Sequence, residues 1–373
     1  MEDFLTTTRK LVREGRRIMA CAPLYPPVEL FTSMGVTPVV PWGISDSYPE
    51  VPASDQHLQQ YTCSVARRLA QCMLSEAARN FSGLFFYNAC DTLRNMPEII
   101  QLTLAESLIL APTFHLHVSQ TPRDQTDADA YTREGIEKLV KQVRGAFGVD
   151  FSEDAFRETV DMYRKARGLA AQAEELTARG MMPFSRAAEL AMEGWRKPVE
   201  AHIEDMAAVL GEHKGNRARE DGPGVVVSGI LPPPAELTDA MEAAGLRIVA
   251  NDVALMHRAT AHTPAEFDDA AGYYSNFYSN HFPCTTLLHT ADRRTDALIS
   301  MAREAGASGF VFAGEKFCEY EYLEFPYLER RLKDEGFFVL FLEIAMDDAK
   351  HLGAHVTRVE AFAELLHGSN ARK

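Results

Sequence analysis

The chain has 373 residues and carries 38 basic against 53 acidic side chains, for a formal charge of −15. A hydrophobic fraction of 46% beside 24% charged belongs to a globular chain with a sizeable core and excludes disorder. The acidic balance excludes a general nucleic-acid binder and an anionic membrane surface as partners, because no basic stripe exists to displace counterions from phosphates.

The N-terminal stretch MEDFLTTTRKLVREGRR is charged throughout and has no signal-peptide apolar core. The most apolar stretches, 99–112 and 337–346, each contain a glutamate and fall short of the roughly 20 residues a spanning helix needs. They read as buried strands or helices, and the expected compartment is the cytoplasm. Six cysteines scattered through the chain are too few for a secreted disulfide scaffold and read as cytosolic thiols or metal ligands.

One unit occurs twice. IMACAPLYPPVELFTSMGVTPVVPWG (18–43) and VVVSGILPPPAELTDAMEAAGLRIVANDV (225–253) each read as an apolar strand, a Pro-Pro turn, a helix start, a glycine stop and a second strand. Pro26-Pro27 corresponds to Pro233-Pro234, Glu29 to Glu236 and Gly35 to Gly245. Proline suits a first helical turn, glutamate there complements the helix dipole, and glycine suits the stop. The echo continues, since FSGLFFYNAC (81–90) matches ASGFVFAGEKFC (307–318), strand-like FHLHVSQ (114–120) matches FFVLFLEI (337–344), and YTREGIEKLVKQV (131–143) matches VTRVEAFAELL (356–366).

Alternating short strands and amphipathic helices predict βαβ units and parallel sheets. The expected fold is α/β: two similar doubly wound parallel-sheet domains, an internal duplication, joined by a helical segment. The boundaries read as 1–125, 126–222 and 223–373. Within the connecting segment, Phe156, Val160, Tyr163 and Ala166 form a helix-period stripe, and Ser152 is placed to cap its start.

In open α/β sheets the ligand crevice lies beyond the carboxyl ends of the strands. Cys90 and Cys318 each follow such a strand, one per repeat, and Cys63 precedes the helical stretch VARRLAQCMLSEAAR. Three cysteines on loops facing one crevice form a candidate metal site. The residues alone leave each one open to being a buried structural thiol instead. Cys72, nine residues into the helix after Cys63, reads as a core thiol; Cys21 and Cys284 are left undecided. Zinc spacing is absent, because there is no Cys-x-x-Cys pair, and His115 and His117 alone are a weak strand pair. Ferredoxin spacing is absent as well. GFVFAGEKF (309–317) imitates a phosphate loop, but Glu315 replaces the glycine before the lysine and Phe317 replaces the Ser/Thr. Any ATP or NAD in the reaction is therefore expected on another protein.

YTCSVARR (61–68), NACDTLRN (88–95) and KFCEYEYLEFPYLERRL (316–332) resemble the three cysteine motifs of the 2-hydroxyacyl-CoA dehydratase and benzoyl-CoA reductase family. PPVELFTSMGVTPV, SEDAFRETVDMYRKAR, LPPPAEL and FFVLFLEI with TRVEAF are similar to the same family, so the resemblance spans nearly the whole chain. It implies the smaller, D-component-like subunit, with a 4Fe–4S cluster held by Cys63, Cys90 and Cys318. Three ligands would leave one iron without a cysteine and open to a substrate oxygen. It further implies one-electron radical chemistry on an acyl-CoA or aryl-CoA thioester, a larger homologous subunit as heterodimer partner, and an ATP-dependent iron–sulfur activator. The reaction would be either dehydration or ring reduction. The alternatives are a homodimeric reductase of small molecules with an 8Fe–9S double cubane, and a non-catalytic electron-delivery or assembly subunit. Relatives often carry Asp-Pro after the third cysteine where this chain has Glu319-Tyr320, and HLGAHV replaces their usual Gly-Gln stretch before TRVEAF.

Other residues have bland and sharp readings side by side. Glu29 is a candidate for proton transfer or simply a helix-dipole carboxylate. Asp91 and Arg94 either contact cluster or CoA, or pair locally. Tyr273, Tyr274, Phe277 and Tyr278 have core or interface spacing. Lys316 is placed to raise a cluster's potential. His57, His257 and His281 receive no role.

Overall fold

A computed structural model describes residues 2–106, 108–109, 111–121, 127–219, 221–345 and 352–370. The first half runs α1 (Phe4–Arg13), β1 (Arg17–Cys21), α2 (Val28–Ser33), β2 (Val36–Val39), α3 (Ser64–Leu74), β3 (Gly83–Tyr87), α4 (Asp91–Glu106) and β4 (Thr113–Leu116). Helices α5 (Ala128–Phe147), α6 (Glu153–Ala178), α7 (Phe184–Gly194) and α8 (Val199–His213) follow. The second half runs β5 (Gly224–Gly229), α9 (Ala235–Ala243), β6 (Arg247–Val253), α10 (His257–Thr260), α11 (Ala270–Ser279), α12 (Ala291–Glu304), β7 (Ala307–Glu315), α13 (Glu319–Asp334), β8 (Phe338–Ile344) and α14 (Gly353–Asn370).

Both sheets have four strands, all parallel, in the orders β2-β1-β3-β4 and β6-β5-β7-β8. The sheet order therefore repeats as the sequence does. The first strand of each repeat is central, and the chain leaves it in opposite directions, which makes a switch point at the carboxyl ends of β1/β3 and of β5/β7. The local reasons match as well. Pro27 and Pro234 cap α2 and α9, with Glu29 and Glu236 in the first turns. Gly35 and Gly245 follow those helices with φ of 70° and 87°, a left-handed turn that favours glycine. The crossover helices α4 and α13 each carry an internal proline, Pro97 and Pro326.

Strand β4 is shorter than the 114–120 reading. It ends at Leu116, so His115 lies in the strand and His117 beyond it. His115 stacks on Phe86 and His117 meets the edge of Tyr131.

In the connecting helices, α6 is 26 residues long, and the Ser152 hydroxyl accepts the Ala155 N–H at 3.1 Å to cap it. Phe156 and Val160 are buried on its inner face. α6 packs against α2, α8 and β6, touching elements of both repeats. One continuous apolar cluster runs from Ile18 and Phe85 through Phe156 and Leu190 to Val227 and Leu342. Burial at roughly 25 cal/mol per Å² of apolar surface thus couples the two sheets through a shared core and fixes the crevice between them.

Gly229 closes β5 at that crevice. A Cβ there would stand 2.6 Å from the Ala313 carbonyl and 3.0 Å from that of Leu231, both backbone. Gly229→Ala must part β5 from β7, and its expected cost is about 2 kcal/mol, read by urea denaturation. Acid acts on a second point. Burial lowers the His281 imidazole to about 3, while the ring lies 4.0 Å from that of Tyr25. The unfolded chain takes up this proton near pH 6.5 and the folded chain only near 3. Stability should therefore fall by about 1.4 kcal/mol per pH unit as pH drops through that window. Denaturant midpoints measured from pH 7 to 4 should show the fall, and His281→Phe should flatten it.

Candidate functional site

Cys63, Cys90 and Cys318 occupy one structural position three times over. Each immediately precedes a helix, respectively α3, α4 and α13, and its carbonyl accepts the first helical N–H. The donors are Arg67 at 3.1 Å, Arg94 at 2.9 Å and Tyr322 at 3.1 Å. The side chains face back over the helix ends. The Leu93 N–H donates to Cys90 Sγ at 3.5 Å, and the main-chain N–H groups of Ala66 and Glu321 favour the thiolates of Cys63 and Cys318. At Cys90 the donor is three residues on, the geometry by which an N-cap satisfies a free amide. A helix N-terminus also carries partial positive charge, which suits a thiolate.

The three sulfurs share an electrostatic neighbourhood. Burial pushes the Cys318 thiol well up, and Glu321, Cys63 and Cys90 push it further. Burial also raises Cys63, with Glu315, Cys90 and Glu321 adding to it. Cys90 is raised by burial, and by Asp91 and Glu319. All three are partly accessible, unlike Cys21, Cys72 and Cys284, which are buried. Among the described residues, no group of three His, Cys, Asp or Glu side chains is arranged to hold a metal ion.

The other cysteines have different surroundings. Cys21 ends β1 with its sulfur directed to the Met19 carbonyl at 3.6 Å. Cys72 lies inside α3, where burial raises it to about 12. Cys284 receives Arg258 and Tyr25 at 3.1 Å each and lies 3.2 Å from the Thr286 hydroxyl. Burial acts to raise this thiol, yet the Arg258 guanidinium holds it below its ordinary value.

Glu29 is also elsewhere. It is 1% exposed and paired with Arg167, and it accepts the Tyr273 and Tyr274 hydroxyls at 2.9 and 2.8 Å. None of these partners belongs to the three cysteine loops. Tyr273, Tyr274, Phe277 and Tyr278 are all buried, so the aromatic run is core whose hydroxyls serve Glu29 and the chain turn at Tyr25. Asp91 and Arg94 form an exposed pair at 3.0 Å, and Lys316 stands 5.4 Å from the Phe317 ring centroid.

Several site residues carry no motif in the sequence. Glu315, the last residue of β7, is buried. Its carboxylate accepts both the Ser64 N–H at 2.9 Å and the Ser64 hydroxyl at 2.5 Å. Its own N–H donates to Glu321 at 3.0 Å, and its carbonyl accepts the Cys318 N–H at 2.9 Å. Beneath lies a buried ionic layer. Asp252 stands 3.2 Å from Arg258 and 2.5 Å from Arg294, all at most 3% exposed, and Arg294 also pairs with Glu324. Burial raises the Glu321 carboxyl, against the Glu315 N–H, Arg258 and Arg294. The one available signal was a glutamate closing an apolar strand three residues before a cysteine.

The fold and this constellation define a duplicated α/β protein that gathers thiols at helix N-termini on a switch-point crevice. The family model described as 2-hydroxyglutaryl-CoA dehydratase, D-component, matches residues 23–366, and the chain belongs to that family. It is 22% identical over 373 residues to the (R)-phenyllactyl-CoA dehydratase beta subunit of Clostridium sporogenes, covering 98% of this chain and 97% of that protein. It is 23% identical to the beta subunit of the (R)-2-hydroxyglutaryl-CoA dehydratase of Acidaminococcus fermentans, covering 97% and 95%. It is 26% identical over 344 residues to one of the subunits of the benzoyl-CoA reductase of Thauera aromatica, covering 89% and 87%. No helix among the described residues is long and apolar enough to cross a membrane.

Asp252 balances two guanidinium groups that lie almost entirely out of water. Asp252→Asn leaves both short of their counter-charge, and the expected loss is about 3–5 kcal/mol in chemical denaturation. An exposed pair such as Arg79–Glu76 should cost under about 1 kcal/mol when broken.

Proposed function

We propose that the chain is the smaller subunit of an enzyme that acts on a CoA thioester, and that Cys63, Cys90 and Cys318 hold an iron–sulfur cluster in its crevice. The observation that carries this is the threefold placement of a cysteine at a helix N-terminus, with Cys90 acting on Cys63 and both acting on Cys318. Family membership supports the substrate class, because the relatives named above are dehydratase or reductase subunits for CoA thioesters.

The donor set, three thiols, is of the kind that holds iron–sulfur clusters, in which each thiolate binds one iron. The crevice is rich in acidic groups, since Glu315, Glu321, Asp91 and Glu319 each disfavour a neighbouring thiolate. Bound iron supplies the positive charge that such a set lacks, and loading it releases the protons that burial keeps on the thiols. When bound, the cluster supplies one-electron chemistry at the thioester.

The chain's own residues perform the remaining work. The helix ends of α3, α4 and α13 orient the three sulfurs and offset part of their charge. Phe317, with φ of 65°, turns the chain sharply so that Cys318 enters α13. Tyr320 lies in the electrostatic range of all three loop residues Cys90, Asp91 and Arg94: burial, Asp91 and Cys90 raise its phenol, and Arg94 lowers it. The chain carries no phosphate loop, so ATP-driven electron supply belongs to a separate activator, and the relatives' being subunits of larger enzymes supports a larger homologous partner.

Anaerobic purification with iron and sulfide analysis tests the proposal, and about four irons per chain is the expected result for one cube. Replacing Cys63, Cys90 or Cys318 by serine should each abolish the bound iron, whereas Cys72→Ser should keep it. Iron retained by all three variants overturns the ligand assignment. Turnover of a 2-hydroxyacyl-CoA against benzoyl-CoA, with partner, activator and ATP, separates dehydration from ring reduction.

A further inference from the structure

We infer that Glu315 is the positioning residue of the thiol site, a single buried carboxylate that clamps the Cys63 helix to the Cys318 turn and gives the site a fixed negative charge. The inference rests on the proposed cluster reading for its electronic half only. The clamp stands on the protein's own contacts.

Glu315 ends β7 in the second sheet, whereas Ser64 is the first residue of α3 in the first repeat. The two are 251 residues apart in sequence, and the carboxylate accepts both the main-chain N–H and the hydroxyl of Ser64. The N–H groups of a first helical turn have no partner within the helix. Here one of them is satisfied from the opposite domain, next to a candidate ligand. The same residue's carbonyl takes the Cys318 N–H, and its N–H is held by the buried Glu321. Glu321 in turn lies in the field of Arg258 and Arg294. One residue therefore fixes the entry of two of the three cysteine loops, with the buried ionic layer behind it.

The charge has a second effect. Both Ser64 donors reach one oxygen of the Glu315 carboxylate, Oε1. Glu315 acts electrostatically on Cys63, so a cluster there sits beside a fixed anion. Adding an electron next to a buried negative charge is disfavoured, which lowers the reduction potential of the site. A strong reductant is what one-electron attack on a thioester demands.

The test uses the full chain and three variants. In the cluster-free protein, hydrogen exchange at the Ser64–Ala66 amides should quicken at least tenfold in Glu315→Ala and stay near wild type in Glu315→Gln, whose amide oxygen still accepts. Ser64→Ala should quicken it less than Glu315→Ala, since only the hydroxyl bond is lost. Unchanged exchange in Glu315→Ala, with the protein folded by circular dichroism, overturns the clamp; if Glu315→Ala does not fold, Glu315→Gln and Ser64→Ala still decide it. In the loaded protein, Glu315→Gln should keep its iron and show a midpoint potential more positive than wild type in an electron-paramagnetic-resonance titration. An equal or more negative midpoint overturns the electrostatic role. If wild type binds no iron, the cluster reading falls, and the exchange measurement still judges the clamp.

Discussion

The structure depends on holding several acidic groups, thiols and carboxylates, in a small buried space. Glu315, Cys90 and Glu321 disfavour the Cys63 thiolate, and Glu321, Cys63 and Cys90 disfavour that of Cys318. Nothing in such a set is self-stabilising. Burial makes it worse, because a charge moved out of water loses solvation that only a partner restores. The fold answers with oriented backbone. Three helices start at the three cysteines, so the partial positive ends of α3, α4 and α13 converge where negative charge accumulates. A parallel sheet makes this arrangement natural, because every crossover helix that follows a strand begins at the carboxyl edge. Two copies of the same sheet order, facing each other, bring helix starts from both copies to one crevice.

Backbone dipoles alone would not hold the two copies in register. That task falls to two other features. The apolar cluster is continuous through both sheets and the connecting helices, so the sheets cannot hinge freely without exposing core. Beneath the thiols, Asp252, Arg258, Arg294 and Glu324 form a nearly dry ionic layer that reaches from the second sheet to Cys284, which also meets Tyr25 from the loop after β1. Such a layer is a poor source of net stability, since the desolvation of its charges offsets most of their attraction. Its value here is directional. Each guanidinium fixes several backbone and side-chain acceptors at once, among them the Gly229 carbonyl at 2.5 Å, and so sets the shape of the crevice floor.

Much of this was legible in the sequence, and the part that was not has a common cause. The parallel sheets, the duplicated Pro-Pro turns and the Ser152 cap follow from local patterns of a few residues, as does the placement of Cys90 and Cys318 after corresponding strands. Asp252, Arg258 and Arg294 have no such signature, because their meaning comes from pairs 6 and 42 residues apart brought together by the fold. Glu315 was visible only as a departure from a phosphate loop, although its partner lies in the other repeat. Glu29 shows the reverse case. Its position at a helix start suggested either proton chemistry or a dipole, whereas its surroundings are Arg167 and two tyrosines drawn from α6 and α11. The aromatic spacing of α11 was readable, but the carboxylate that its hydroxyls serve was not.

The net charge takes on a specific meaning beside this site. A CoA nucleotide is strongly anionic, and the basic side chains near the thiols are already engaged. Arg94 is held by Asp91 at 3.0 Å, and Arg67 by Asp55 at 2.5 Å. Lys316 rests against Phe317, in a stretch that also contains Glu315, Glu319 and Glu321. Phosphate groups approaching this rim meet paired cations and several carboxylates, so the field of this subunit favours the uncharged acyl or aryl end of the substrate over its nucleotide. The local field at this rim thus opposes a polyphosphate more than it opposes an uncharged group.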